Sequence, residues 1–302
     1  MIYGFENNSF YLDVPSTTRP VGNLREETNR RALELSQQYD NLVLSNSSGV
    51  DSQVVLKAFI DQGLPIKSVF MHLPGYNDNE FQNIKDVDAF FNITTEIISV
   101  DLDSVKDELE AEAEATGIQV YSLLWKKFLS LIPSDWNLIQ MTHDPYIHST
   151  RKKNDFYYYI SHNGPEITRE RAFNLVERTG KVIYFGDTSE YLLSILKEDA
   201  LVGCLYSLKY ISNNGLVKPG VSLTTFDRWD YYVKPALYGQ HWKNEIIYFS
   251  KYVGWEEAGW LKTHSNVWEN GVYVPYFDLI EHLEAQDGSI KRYSLNALVG
   301  SE

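Results

Sequence analysis

Residues 44–52 read Leu44-Ser45-Asn46-Ser47-Ser48-Gly49-Val50-Asp51-Ser52, a run of small and polar side chains between two apolar segments. Upstream, Asp40-Asn41-Leu42-Val43-Leu44 has the composition of a short buried strand. Downstream, residues 53–62 carry Val54, Val55, Leu56, Ala58, Phe59 and Ile60, a density that suits a helix buried over most of its surface. The quoted stretch is therefore read as a strand-to-helix turn. Small residues let successive backbone N–H groups converge on an anion, and a helix N-terminus adds unsatisfied donors and the positive end of its dipole. Ser47, Ser48 and Ser52 add hydroxyl donors. A phosphate cradle is one reading; a plain turn with an Asp or Ser helix cap is the other.

The six residues Ser47-Ser48-Gly49-Val50-Asp51-Ser52 resemble the Ser-Gly-Gly-x-Asp-Ser signature of the PP-loop (N-type) ATP pyrophosphatases, within the adenine nucleotide alpha hydrolase-like superfamily. The nearest flavour is that of asparagine-synthetase-like or phosphoadenylylsulfate-reductase-like domains. The resemblance implies a HUP-like (Rossmann-like) α/β fold, with a parallel sheet of about five strands flanked by helices. It also implies ATP and Mg2+ as cofactors. On that basis the loop residues Ser45, Ser47, Ser48, Gly49, Val50, Asp51 and Ser52 would bind the nucleotide, with Asp51 orienting the loop or holding magnesium. Met71 and His72 would lie near adenosine. The chain departs from the signature at Ser48, which stands where the family has its first glycine. If the loop needs a positive φ there, serine is costlier than glycine. The Gly-Lys-Ser/Thr of the other phosphate loop is missing, which disfavours ordinary γ-phosphate hydrolysis.

Outward from the loop, strand and helix patterns alternate. Residues 24–39 read as a helix with Ala32, Leu33 and Leu35 on its apolar side. Residues 65–73 read as a strand, 79–91 as a helix with Phe81, Ile84, Val87 and Phe91 in step, and 94–102 as a β-branched strand. Residues 103–116 form an acidic helix candidate; Glu108, Glu110, Glu112 and Glu114 alternate, so they spread around it as a solvated face and make no compact metal cage. A helix over 121–131 and a strand over 137–142 follow. This alternation predicts right-handed crossovers and a parallel sheet.

In such a sheet ligands gather beyond the carboxyl ends of the strands, where strand order reverses. The PP-loop resemblance would bring residues 142–153 beside the cradle. Thr142 is then a nucleotide contact, Arg151 and Lys152 are candidates to neutralise phosphate, and His143 and Asp144 could meet substrate or a metal; a surface turn with a solvated basic cluster is the alternative. His143 and His148 are five residues apart and would not share one face of a helix, so no two-histidine metal site is expected. Further on, Gly186-Asp187-Thr188-Ser189-Glu190 faintly resembles the acidic turn of asparagine-synthetase-like enzymes, and Val274-Pro275-Tyr276-Phe277-Asp278 a Pro-Phe-Leu-Asp segment of the same family. Asp187 becomes a second candidate for magnesium, against a capped turn that explains the residues equally well.

From about residue 213 the composition turns aromatic, with Trp229, Trp242, Trp255, Trp260 and Trp268 among many tyrosines. Such residues build cores and rim clefts. We divide the chain into residues 1–212, a nucleotide-binding α/β domain, and 213–302, an aromatic-rich C-terminal subdomain that covers the cleft and selects substrate.

Composition narrows the function. The chain has 302 residues, 43% of them hydrophobic and 14% aromatic, enough for a sizeable core. Its formal charge of −14, from 27 basic and 41 acidic residues, argues against a general nucleic-acid surface and against a tRNA-lysidine type of role, leaving a small-molecule substrate. Cys204 is the only cysteine, so an intramolecular disulfide, a multi-cysteine zinc site and paired-cysteine thiolation chemistry are all excluded. A cysteine near the C-terminus, as sulfonucleotide reductases use, is missing, and Ile2 follows Met1 where a glutamine-dependent amidotransferase would place its nucleophilic cysteine. No secretory signal or membrane-length apolar run is evident, which predicts a cytoplasmic protein with no membrane partner; a homo-oligomer is compatible with everything above. What survives is an amide-forming ligase that cleaves ATP to AMP and pyrophosphate and activates a small carboxylate, amide or related oxygen. A non-catalytic nucleotide-binding module, or a sulfonucleotide-binding relative without the redox cysteine, is the alternative.

Overall fold

A computed structural model describes residues 2–6, 9–141, 146–152, 155–162, 172–199, 201, 223–224, 234–249 and 272–294. Among them, β3 (Leu42–Ser45), β4 (Lys67–His72), β5 (Thr95–Ser99), β6 (Asn137–Gln140) and β9 (Val182–Tyr184) form one sheet in the order β5-β4-β3-β6-β9. Every pairing in it is parallel. The expected five-stranded, Rossmann-like α/β sheet is thus present.

The inner strands β3, β4 and β6 are buried on both faces because helices cover both, which is why their centres read as apolar runs without alternation. In β3, Leu42 and Leu44 enter one core and Val43 the other. The first core is built with α1 (Leu24–Gln38), α2 (Val50–Asp61) and α6 (Ser189–Leu196), through Ala32, Leu35, Val54, Val55, Phe59, Leu192 and Leu196. The second takes α4 (Leu102–Thr116) and α5 (Val120–Leu131), through Leu109, Ala113, Leu123, Leu124 and Phe128. The helix α3 (Asp78–Phe91) connects β4 to β5. Each helix lies within a residue or two of its expected start except α2, which begins three residues earlier than residue 53 and so takes Asp51 and Ser52 into its first turn.

Two antiparallel sheets, not anticipated from the sequence, accompany the parallel one. A hairpin of β1 (Ile2–Glu6) and β2 (Ser9–Pro15) is extended by β12 (Ile290–Ser294), so that chain segments nearly 280 residues apart pair in register, Tyr293 opposite Leu12. A second hairpin, β7 (Tyr146–Lys152) with β8 (Asp155–His162), is flanked by β10 (Leu223–Thr224) and β11 (Val272–Pro275). The segment expected as a basic turn is therefore a strand in its second half. The reason lies in the partner: Phe156-Tyr157-Tyr158-Tyr159-Ile160 is a run of aromatic and β-branched residues that favours an extended pleat and recruits Tyr146-Ile147-His148-Ser149-Thr150 opposite it.

Two late helices return to the first core. From α7 (Lys234–His241) and the turn after it come Leu237, Tyr238, Trp242 and Ile246; from α8 (Tyr276–Glu284) come Leu279 and Leu283. Trp242 and Tyr238 are the largest fully buried side chains of the described residues. No helix among the described residues is long and apolar enough to cross a membrane.

Candidate functional site

Strand order runs outward from β3 through β4 to β5, then resumes on the other side with β6 and β9. Order reverses between β3 and β6, so the crevice for a ligand opens beyond their carboxyl ends. The 45–52 turn lies there.

Its shape is set by side chains. Asn46, almost fully buried, accepts the Ser48 N–H on Oδ1 at 2.9 Å and donates from Nδ2 to Ser68 Oγ at 3.1 Å. Ser68 shares a 2.8 Å hydrogen bond with Thr95 Oγ1, which donates to Asp88 Oδ1 at 2.6 Å, while the Thr95 N–H donates to Asp88 Oδ2 at 2.9 Å. A chain of polar groups thus runs from α3 across β5 and β4 into the turn. Each donor meets an acceptor, which a buried network requires. The Asn46 N–H is tied to Val69 O at 2.8 Å, continuing the β3–β4 ladder.

Held in this way, Ser48 adopts φ +60°. The left-handed backbone that glycine would take without penalty is taken by a buried serine, at a cost of ~1 kcal/mol. Around it, the Ser47 N–H donates to Ser52 Oγ at 3.2 Å, and the Ser47 and Ser52 hydroxyls share a hydrogen bond at 3.1 Å. Gly49 is the N-cap of α2, and no side chain caps that helix. The first-turn N–H groups of a helix have no partner within it; here they face the crevice end of the sheet with the dipole's positive end.

Two further contacts come from a distance in sequence. Gln53, fully buried, donates from Nε2 to Ser48 O and to Ile247 O, both at 2.8 Å, and accepts the Ile247 N–H on Oε1 at 2.7 Å. The Tyr238 hydroxyl donates to Asp51 Oδ1 at 2.7 Å. The segment 234–249 is itself anchored to α1 and α2. Arg25 holds Glu245 with two parallel bonds of 2.7 and 2.9 Å, donates to His241 O at 2.7 Å and lies over the Trp242 ring; Lys57 pairs with Glu245 at 3.0 Å and also with Asp61. The Arg25 guanidinium, with Lys57 beside it, pulls the Glu245 carboxyl down to about 2.

The neighbouring strand ends at Met71 and His72. Met71 is buried; His72 stacks on Phe81 with ring centres 4.5 Å apart, and its Nε2 is 2.8 Å from Asp78 Oδ1. The Asp78 carboxyl is held below its ordinary range first by that hydrogen bond. Asn77 closes the turn by accepting the Leu73 N–H and donating to Met71 O.

The structure therefore brings Ser45, Ser47, Ser48, Gly49, Val50, Asp51 and Ser52 into one turn, with Met71 and His72 ending the adjacent strand. Asp187 stands past β9, two strands from β3, or roughly 10 Å along the sheet. Its near neighbour is Arg31, which donates from Nε to Phe185 O at 3.1 Å and whose buried guanidinium is lowered first by desolvation, with Asp187 acting against that. Glu190 accepts from the Thr18 N–H at 3.0 Å and so fixes the segment before α1. Arg151 and Lys152 are the last residues of β7, opposite Phe156 and Asp155. Thr142, His143, Asp144, Cys204, Trp229, Trp255, Trp260 and Trp268 lie outside the described residues.

Four residues that matter to the turn were not singled out from sequence: Asn46, Gln53, Tyr238 and Gln140. Gln53 carried a signal, being the one amide in an otherwise apolar helix face. Gln140, the last residue of β6 and 2% exposed, has neither Nε2 nor Oε1 bonded among the described residues. It stands at the β3–β6 reversal beside Ser45, where a buried polar group without a partner calls for a ligand or water.

No family model matches the sequence, and no curated protein is similar to it. Among solved structures, the chain is similar to an NMN synthetase from Francisella tularensis, at 18% identity and a TM-score of 0.30 over 39% of this chain and 54% of that one. It is also similar to an NH3-dependent NAD synthetase from Campylobacter jejuni subsp. jejuni NCTC 11168 in complex with nitrate, at 14% identity and a TM-score of 0.30 over 40% of this chain and 58% of that one. The chain thus spans little more than half the length of either protein. Neither likeness bears on what this chain binds.

The groups at the turn fit a nucleotide phosphate accompanied by a divalent cation. Uncapped N–H donors suit the phosphate. Asp51 supplies one carboxylate, and Mg2+ is ordinarily held by one or two carboxylates together with substrate phosphates and water. No cluster of three or more metal-ligating side chains exists among the described residues.

Proposed function

We propose that the protein binds ATP at the 45–52 turn and cleaves it between the α- and β-phosphates, transferring AMP to a carboxylate, amide or related oxygen of a small substrate that an amine or ammonia then attacks. The carrying observation is the left-handed Ser48 in a turn of small residues that feeds the uncapped α2 at the strand-order reversal. In such a reaction the protein mainly aligns the attacking oxygen and stabilises charge on the phosphate oxygens. The first-turn N–H groups and the Ser47 and Ser52 hydroxyls take the pyrophosphate in this reading. Asp51 holds the accompanying magnesium, and Arg151 and Lys152 are candidate phosphate neutralisers. When bound, the magnesium would offset charge on the leaving pyrophosphate.

One observation favours a second reading, nucleotide binding without turnover. The Ser47 and Ser48 N–H groups are already spent inside the protein, on Ser52 and Asn46, so the cradle offers fewer backbone donors than its length suggests. Incubation with α-labelled ATP, magnesium and a metabolite mixture separates the two. Metabolite-dependent AMP supports the ligase; tight ATP binding with no AMP supports the module. Unchanged nucleotide binding in both Ser47→Ala and Asp51→Ala would remove the turn from either account.

A further inference from the structure

Tyr238 occupies a place that phenylalanine would fill as well by packing alone. It is 1% exposed, its ring meets Trp242 edge to face at 5.7 Å, and it belongs to the same core as Leu237 and Phe59. Its hydroxyl nevertheless leaves that core at one point, to donate to Asp51 Oδ1 at 2.7 Å. A phenol donating to a carboxylate at that length is a charge-assisted bond, about twice as strong as a neutral one. Asp51 is also the only acidic residue in the first turn of α2 and the only carboxylate of the phosphate turn.

The helix that carries Tyr238 is not free to shift. Gln53 pins Ile247 by two bonds, Arg25 and Lys57 hold Glu245, and His241 Nε2 lies 2.8 Å from the buried Glu198. Several of these anchors are on α1 and α2 themselves, so the segment carrying Tyr238 is tied to the same helices that flank the turn. A donor fixed to that segment fixes the carboxylate it touches.

From this geometry we infer that Tyr238 is a positioning residue for the nucleotide-borne cation: it holds one Asp51 oxygen and so sets the direction in which the carboxylate presents itself to a divalent metal. The inference rests on the reading of the turn given above and adds to it a residue from the far C-terminal part of the chain. Ligand-orienting partners of this kind govern metal affinity while leaving the rest of a site intact.

The test measures Mn2+ binding by electron paramagnetic resonance, with α,β-methylene-ATP present, in the full chain and in Tyr238→Phe and Asp51→Asn. Binding of the same analogue is measured in EDTA by calorimetry, and folding by the thermal midpoint. Tyr238→Phe is expected to weaken Mn2+ about tenfold and to leave the affinity in EDTA within about twofold, with Asp51→Asn weakening Mn2+ further. If the parent protein binds no analogue, the reading of the turn fails and takes this inference with it. If the parent binds both analogue and Mn2+ but Tyr238→Phe matches it, the inference alone fails. Equal losses with and without the cation would also overturn it, showing Tyr238 to be a prop for the turn as a whole. A collapsed thermal midpoint in Tyr238→Phe is met with Glu245→Gln, which keeps Tyr238 and the turn's own bonds while loosening the hold of Arg25 and Lys57 on the segment after α7; loss of Mn2+ affinity there, with the EDTA value kept, sustains the inference, and no loss ends it.

Discussion

Two of the sheet's strand-to-helix turns, those after β9 and β3, are rich in small polar and acidic residues and are built differently. After β9, the turn caps its own helix: Thr188 accepts the Tyr191 N–H at 3.2 Å at the start of α6 and the Asp187 N–H donates to Tyr184 O, while Glu190 and Ser189 reach back to Thr18 and Pro15. After β3, the turn leaves its helix uncapped and is shaped from outside, by Asn46 beneath it, Gln53 behind it and Tyr238 above α2. The first turn supplies its own helix cap. The second has no side-chain cap on its helix and is shaped by residues that come from elsewhere, a difference that the serines and acids common to both do not reveal.

Breaking the external support should cost most. Gln53→Met keeps volume but strands the Ile247 N–H and the Ser48 and Ile247 carbonyls; a loss of roughly 3 kcal/mol is expected from such orphaned groups, read from the urea midpoint. A loss under about 1 kcal/mol would mean that water replaces Gln53 and the support is not external. At the turn after β9, Thr188→Ala removes only a cap, for about 1 kcal/mol, and nucleotide affinity should not move. Reduced affinity there would bring the β9 end into the site and blur the contrast.

The Glu245 tether gives a pH signature. Its carboxyl titrates at about 2 in the folded chain, below the model-compound 4.5, so its stabilisation is complete above pH 4.5 and is lost as pH falls towards 2. Glu245→Gln should accordingly be less stable than the parent at pH 7 by a modest margin, Glu245 being about a third exposed, and that margin should narrow as pH drops through this window. A margin that is constant in pH would show that the contacts are packing alone. The smallest effect is expected at Ser48. Ser48→Gly relieves the left-handed strain but loosens the unfolded chain, leaving a net gain of about 0.5 kcal/mol; Ser48→Ala should show no such gain. A stabilising alanine would mean that the strain is not at the backbone.

Much of the parallel sheet was legible because its strands are short apolar runs separated by periodic helices, and that pattern is local. The site was legible only where it is contiguous, over residues 45–52. Tyr238 lies 187 positions from Asp51 and Ile247 lies 194 from Gln53, and no local pattern announces such a pair. The aromatic C-terminal region showed that something large is packed there, not which hydroxyl leaves the core. The β7–β8 hairpin was missed for a different reason: the basic Arg151-Lys152 end of its first strand drew the reading towards a charged turn.

The hydrogen-bond chain from Asp88 to Asn46 also bears on which replacements the turn tolerates. Because a neighbouring amide draws the Ser48 N–H into place, the unusual backbone at position 48 is imposed by its surroundings and does not depend on the residue's own freedom. That conformation depends on Asn46, two residues earlier, which can be neither enlarged nor made apolar without breaking its bond to Ser68. Anyone re-engineering this turn should treat positions 46 and 48 as a single letter of the code: serine is readable at the second only while asparagine stands at the first.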